Sequence, residues 1–296
     1  MNHIVVIGSC NIDISVTADK RPKAGETIIG QKLSVSPGGK GANQAVAAAK
    51  LGANVSMVGA IGQDAYGQLM KDTLKACYID TTYLVERADT STGTAHITLA
   101  EGDNSIIVIA GANATVDKSL IDKAWPTIEK TDLVLVQNEI PLATIGYILK
   151  QCYDHGIPVL LNPAPAMTMP QEWLAYASYI TPNEHECQAL FPGLSKEAIY
   201  SLTNDRLLIT LGSQGVGYVR NNQLHIVPAF KVSPVDTTGA GDTFNGAFAY
   251  AIVNGQKKED AIRFANAVAA LSVQKMGAQG GMPTLDQVKQ FLAERS

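Results

Sequence analysis

Between Val235 and Gly246 the chain reads VDTTGAGDTFNG, followed by the apolar run AFAYAIV. Two aspartates, three threonines and two closely spaced glycines therefore stand where an apolar helix begins. Gly239, Ala240 and Gly241 lead into that helix, whose start the pattern puts near Asp242. The first N–H groups of a helix have no partner within it, and the helix dipole adds partial positive charge. Such a turn is an anion hole that needs no lysine. Asp242 has two readings. As an N-cap it accepts from one of those N–H groups, a contribution of about 1 kcal/mol. Beside an anion hole it is also placed to take a proton from an attacking hydroxyl. A base for the nucleophile and donors for the transferred group are the minimal set for phosphoryl transfer. Asp236 and Thr238 precede the turn, where they cap it or hold a cation that stiffens it.

Two earlier segments carry matching chemistry. GSCNIDI closes a first apolar strand, and period-two alternation points Asn11 and Asp13 the same way. At the carboxyl end of a strand in an open α/β sheet, such a pair faces ligand. One Asp carboxylate accepts from two neighbouring hydroxyls of a sugar, and Asn both donates and accepts. The plainer alternative is a turn with Asx hydrogen bonds. SPGGKGANQAVAAAKLGA, residues 36–53, is a glycine-rich turn before a helix with a small-residue face. Asn43 lies one turn beyond Lys40, on the same side. This is not a Walker loop, because Ser34 stands where its first glycine belongs and Gly41 follows the lysine. It is not a G-x-G-x-x-G fingerprint either, because Gln44 takes the last place. A backbone cradle for a ligand and simple helix packing both remain open here.

In the middle of the chain Glu139 follows a strand in VQNEIP, and LLNPAPA follows the next. Asn183 and Glu186 of TPNEHE open a helix, where acidic groups are often only dipole partners. Four successive strands thus end in polar clusters that would share one edge of a sheet. A rim of carboxylates and amides without cysteines suits Mg²⁺ held largely through water.

The elements that position these groups follow from short β-branched runs at 3–8, 54–62, 132–137, 157–162, 179–182 and 206–212. Between them 40–51, 65–77, 117–130, 141–155 and 183–190 read as helices. The alternation predicts an α/β fold with a mostly parallel central sheet between two helical layers. A hairpin turning at Asn221–Asn222 follows, then helices at 240–254, 258–275 and 284–295. Residues 14–35 and 93–109 alternate apolar and polar, the mark of strands with one wet face. They are expected to form a small sheet inserted as a lid, which would exclude water during a reaction. No Pro/Gly/Ser linker divides the chain, so residues 1–296 are expected to be one domain.

Composition excludes several classes. With 46% hydrophobic and 17% charged residues, the 296-residue chain builds a sizeable core. A net charge of −4 and no run of Lys or Arg argue against a nucleic-acid partner. Cys10, Cys77, Cys152 and Cys187 are scattered, which argues against a zinc site or a disulfide framework. No segment reaches the ~18 apolar residues of a membrane span, and a cytoplasmic location is expected.

VDTTGAGDTFNGAF and PGGKGANQAVAAAKLGA resemble the two signatures of the ribokinase-like carbohydrate kinases, the family also named after the minor phosphofructokinase. The likeness runs from IGSCNID to MGAQGG, and CNID, NEIP, LNPAPA and TPNEHE resemble its ribose-phosphorylating branch. The resemblance implies a three-layer αβα sandwich with a β-sheet lid that also serves as a homodimer clasp. It implies that Asn11, Asp13, Gly39, Lys40, Gly41, Ala42, Asn43 and Glu139 hold a sugar. Asp242 would deprotonate the ribose 5-hydroxyl, with Gly239, Ala240 and Gly241 cradling the phosphate of ATP. Asn183 and Glu186 match an element associated with Mg²⁺ and phosphate positioning. Thr210, Leu211, Gly212, Ser213, Gln214, Gly215 and Asn266 would line the nucleotide pocket. Asp236, Thr238, Ser272, Lys275 and Gly277 would surround a monovalent cation, K⁺, mostly through carbonyls. Gly281 stands where a related kinase offers a serine hydroxyl, so that site is expected to lack one ligand. Residues 192–206 look shorter than usual, which would trim a helix on the nucleotide side.

Other acceptors stay in view: deoxyribose, another sugar or a nucleoside. Asn11 beside Asp13 suits a 2-hydroxyl and its neighbour, and a site built for a hydroxyl rejects an analogue lacking it. A nucleoside would want an aromatic base pocket, and the lid segments are poor in aromatics. A non-catalytic sugar-binding protein would have lost the base or the glycine turn, and both are present. A nucleotide-dependent dehydrogenase lacks its fingerprint here.

Overall fold

The structure is a computed structural model that describes residues 2–295. It opens with β1 (His3–Ile7), β2 (Asn11–Thr17), β3 (Lys32–Gly38), α1 (Lys40–Lys50), β4 (Asn54–Gly62) and α2 (Ala65–Ala76). Next come β5 (Asp80–Arg87), β6 (Gly93–Ala100), β7 (Asp103–Ile109), α3 (Lys118–Ile128), β8 (Leu133–Gln137) and α4 (Leu142–Asp154). After β9 (Val159–Asn162), α5 (Gln171–Leu174), β10 (Tyr179–Ile180), α6 (Glu184–Leu190) and α7 (Lys196–Thr203), the chain turns to β11 (Leu208–Thr210), β12 (Val216–Arg220) and β13 (Gln223–Val227). It ends in α8 (Ala240–Val253), α9 (Lys258–Ser272) and α10 (Leu285–Ala293).

Six strands form the central sheet in the order β10-β9-β8-β1-β4-β5, every pair parallel. Alternation along β1 shows why its sequence is apolar throughout. Ile4 and Val6 belong to the apolar cluster that takes in α1, α2, α8, α9 and α10, while Val5 and Ile7 belong to the one that takes in α3, α4, α6 and α7. A parallel sheet covered on both faces needs apolar residues at consecutive positions. The αβα sandwich expected from the sequence is therefore present. The 206–212 run is a correction. It supplies β11 of a separate three-stranded antiparallel sheet, tied to the main one by the single bridges Ile180–Leu207 and Asn183–Thr210. Asn221 and Asn222, both at positive φ, turn the hairpin as expected.

The second sheet has the order β3-β2-β6-β7. Its strands leave the main sequence after β1 and after β5, and it takes in Asn11–Thr17 and Lys32–Gly38, with 18–31 mostly loop. Asn11 and Asp13 thus open a lid strand rather than close a core strand. The Asn113 amide fixes that departure point. It accepts from the Cys10 N–H at 2.8 Å and donates to the Cys10 carbonyl at 3.2 Å and to Asn11 Oδ1 at 2.7 Å. Among the described residues no helix is long and apolar enough to cross a membrane.

Candidate active site

Two cavities meet at Lys40, Gly239 and Asp242. The larger, about 650 Å³, lies under the lid sheet. Asn11, Asp13, Gly39, Asn43, Asn138 and Glu139 supply its polar wall, and Ala95, Ile97, Ile106 and Val108 of the lid supply the apolar one. The smaller, about 220 Å³, is rimmed by Asn162, Asn183, Glu186, Thr210, Ala240 and Gly241.

Local structure explains each placement. Pairing of β2 with β3 sets Asp13 opposite Ser36, beside Gly38. A Cβ on Gly38 would overlap the Asp13 carboxylate, so glycine there makes room for the acid. Lys40 begins α1, whose cap, Gly39, has no side chain to offer. Glu139 reaches across from the end of β8 instead. Its Oε2 accepts from the Lys40 N–H at 3.0 Å and from the Ser9 hydroxyl at 2.5 Å. Gly41 and Ala42 pack against the chain at Gly8–Ser9 and line neither cavity, in contrast to the expectation for them.

Helix α8 begins two residues before Asp242, with Gly239 as cap in the left-handed region at φ 75°. Asp242 is therefore not the N-cap, and that reading falls. Its Oδ2 accepts from Asn43 Nδ2 at 3.0 Å and its Oδ1 from Gln44 Nε2 at 3.1 Å. The Ala240 N–H bonds to the Thr237 carbonyl at 3.2 Å, whereas those of Gly241 and Asp242 meet no acceptor among the described residues. The Gly239 N–H also meets none, so of the three donors read from the sequence only that of Ala240 is spent, and Asp242 adds one. A Cβ on Gly241 would project into open space, so packing does not demand glycine there.

Charge is concentrated at the junction. Burial pushes the Asp13 carboxyl up to about 6; the charges of Glu139 and Asp242 add to this and Lys40 opposes it. Burial works against the charged form of Lys40, yet Asp242, Glu139, Glu186 and Asp13 outweigh it and hold its pKa above the usual lysine value. Burial likewise raises Glu186, against a bond from the Asn183 N–H and the charge of Lys40. Asn183 and Glu186 form a reciprocal capping box on α6, so each has a structural duty as well as a place on the smaller cavity.

The remaining expected residues are dispersed. Thr210 reaches the smaller cavity, but Leu211 faces an apolar cavity beside α6 and α7. Gly212, Ser213 and Gln214 form a short 3₁₀ turn ending at Gly215, which packs against Val227 and Pro228. Asn266 spends its amide hydrogens on those two carbonyls, at 3.1 and 3.2 Å, and so fixes the strand beside that turn. Asp236 accepts from the N–H groups of Thr238, at 2.9 Å, and Gly277, at 2.8 Å. Against the upward push of burial, these bonds hold its carboxyl below the usual range. The Ser272 hydroxyl is turned into its own helix, donating to the Ala269 carbonyl, and Lys275 N–H reaches the Ser272 carbonyl at 3.5 Å. A side chain at Gly281 would overlap the Ser272 carbonyl oxygen, so this backbone has no room for a serine there. Among the described residues no group of three or more His, Cys, Asp or Glu is placed to hold a metal ion. Sequence reasoning missed Ser9, Asn113, Asn138, Gln137 and Asn162, and met Gln44 only as a broken fingerprint.

Known proteins share this fold. The chain is 52% identical to the ribokinase of Bacillus subtilis over 293 residues, covering 99% of this chain and all of that one. A ribokinase from Thermotoga maritima superposes with a TM-score of 0.91 at 40% identity, over 99% of this chain and 100% of the other. An Arabidopsis thaliana ribokinase complexed with ribose and ATP superposes with a TM-score of 0.89 at 34% identity, over 99% of each chain. Residues 1–285 match the pfkB family carbohydrate kinase pattern, and the chain belongs to that family.

Proposed function

We propose that this chain transfers the γ-phosphoryl group of ATP to the 5-hydroxyl of D-ribose, giving D-ribose 5-phosphate and ADP. The observation that carries the proposal is the shared junction: Asp242, Gly239 and Lys40 border both cavities. The sugar lies in the larger cavity, where Asp13 accepts from two hydroxyls and Asn11, Asn43 and Glu139 complete the contacts. The apolar lid residues cover it and exclude water. The 5-hydroxyl reaches Asp242, which takes its proton as the oxygen attacks phosphorus. The N–H groups of Gly241 and Asp242, with the Lys40 ammonium, receive the charge on the transferred group.

Glu186 is the carboxylate on the smaller cavity besides Asp242, and Mg²⁺ is commonly held by one or two carboxylates with phosphates and water. That donor set fits the ion, which would neutralise charge on the phosphates. The Asp236 clamp on Thr238 and Gly277, tied through the Asp236 N–H to the Val273 carbonyl, suits a monovalent cation, K⁺, that would stiffen the turn before α8. We further propose a homodimer through the outer lid face. Leu33 is 65% exposed and Ile107 69%, and Val16, Val35 and Ile109 share that exposed apolar surface. Four free thiols accord with a cytoplasmic location.

The test is the purified protein with ATP, Mg²⁺, K⁺ and a panel of pentoses, hexoses and nucleosides, following ADP release and the phosphorus spectrum of the product. D-ribose is expected to react fastest, with phosphate on O5. Deoxyribose turning over faster, or ADP release indifferent to sugar, contradicts it.

A further inference from the structure

Gln44 is wholly buried in α1 and borders neither cavity, so it does not touch a substrate. All three of its polar bonds are nonetheless committed. Its Nε2 donates to Asp242 Oδ1 at 3.1 Å and to Asn162 Oδ1 at 3.0 Å, and its Oε1 accepts from Gln137 Nε2 at 2.7 Å. Asn162 in turn donates to the Thr181 carbonyl at 2.9 Å. A continuous line of amides therefore runs from the end of β8, through α1, to the first turn of α8.

The neighbouring donor, Asn43, differs in kind. It borders the larger cavity, and its Oδ1 accepts from Gln279 at 3.0 Å. A bound sugar competes for its amide. Gln44 has no such competitor. Around it α1 is built from Ala42, Ala45, Val46 and Ala48, all buried. An amide in such a setting is costly unless fully bonded, and a methionine or leucine would fill the space without that cost. The bond from Gln137 also fixes which way round the Gln44 amide stands, so that its NH₂ end meets the carboxylate.

We propose that Gln44 is a positioning residue for the reaction: it holds Oδ1 of Asp242 so that the other oxygen is presented to the attacking hydroxyl, and Gln137 holds Gln44 in the donating orientation. The proposal rests on Asp242 being the base. It adds that the base is oriented from behind, by a residue buried out of reach of sugar and nucleotide.

The test uses Gln44→Met in the full chain, a side chain of similar length with no hydrogen bond. The readouts are thermal unfolding, kcat, KM for ribose and for ATP, and the pH profile of kcat. Misplacing a reacting group by about 1 Å costs about 10²-fold. The variant is expected to lose about that much kcat, with both KM values within about threefold of the parent. Loss of a donor to the charged carboxylate is also expected to move the acid limb of the profile to higher pH. Gln44→Glu keeps the shape and the bond from Gln137 but sets a second carboxylate beside the first, and is expected to move that limb further. Should Gln44→Met not fold, Gln44→Glu decides by the same readouts. A residue that merely stitches α1 to its neighbours would lower the unfolding temperature and leave the profile in place. That result, or a kcat within about twofold of the parent, overturns the proposal. Failure of the ribokinase assignment itself is distinct, because it appears in the parent protein as absence of ATP-dependent ribose phosphorylation.

Discussion

The Asn43 amide donates to the Asp242 carboxylate at 3.0 Å across 199 positions of sequence. The contact joins the first turn of α1, which carries the Lys40 side of the larger cavity, to the first turn of α8, which carries the free N–H groups. The two cavities are thereby built around one acid.

Asp13→Ala is expected to raise KM for ribose by at least tenfold, the cost of about 1.4 kcal/mol of lost hydrogen bonding. KM for ATP should stay near its parent value, because Asp13 borders the larger cavity and not the smaller. Steady-state kinetics with each substrate varied checks this, and equal effects on both would contradict the division between the cavities.

The pH dependence follows from the same residue. Its carboxyl titrates at about 6 when folded, against 3.8 ordinarily. As pH falls through about 6, Asp13 becomes neutral and a weaker acceptor, so KM for ribose should rise while KM for ATP does not. For stability the sign is opposite. A raised folded value means the native state holds this proton more tightly, so its stabilising contribution is full below 3.8 and lost as pH climbs through about 6. Stability of the sugar-free protein should fall with pH in that window by up to about 1.4 kcal/mol per pH unit. Urea unfolding across the window checks it, with Asp13→Asn expected to flatten the slope.

Gly241→Ala should separate stability from function. Alanine meets nothing in the protein at that position and favours a helix over glycine by roughly 0.5–1 kcal/mol. The fold should therefore be unharmed or slightly firmer, while the methyl group enters the smaller cavity and lowers kcat/KM for ATP by about tenfold or more, some 1.4 kcal/mol. Melting curves and kinetics on one preparation test both halves. Undiminished turnover would mean that the phosphate does not lie against this turn.

Lys50 donates to the carbonyls of Gln279 at 2.8 Å and Met282 at 3.2 Å, and burial lowers its pKa. Lys50→Met leaves those carbonyls without their donor and should cost roughly 1–3 kcal/mol of stability. Calorimetry checks it, and an unchanged unfolding temperature would show the clasp to be redundant.

The sequence was most legible where a feature is local. The unbroken apolar run Ile4–Ile7 declared a strand buried on both faces, and Asn221–Asn222 declared its own turn. The glycine turn before α8 and the acid after it were also visible, because they are neighbours in the chain. What could not be read depends on distance through space. Asn11 and Asp13 were placed at the end of the first strand because one extended run passes without a break into the lid. Glu139 capping α1 from β8 leaves no trace in sequence. Gln44 offered one signal, a long amide on a helix otherwise lined with alanine. A long polar side chain amid small apolar ones asks for a buried partner, but which partner only the fold can say.

The central claim is that Asp242 removes the proton from the sugar hydroxyl. Asp242→Asn keeps the shape of the side chain and removes its basicity. Ribose binding, measured by calorimetry without nucleotide, should be nearly unchanged, while kcat with ATP and ribose should fall 10²- to 10⁴-fold or more. A variant that binds ribose and still turns over at the parent rate would show that the base lies elsewhere.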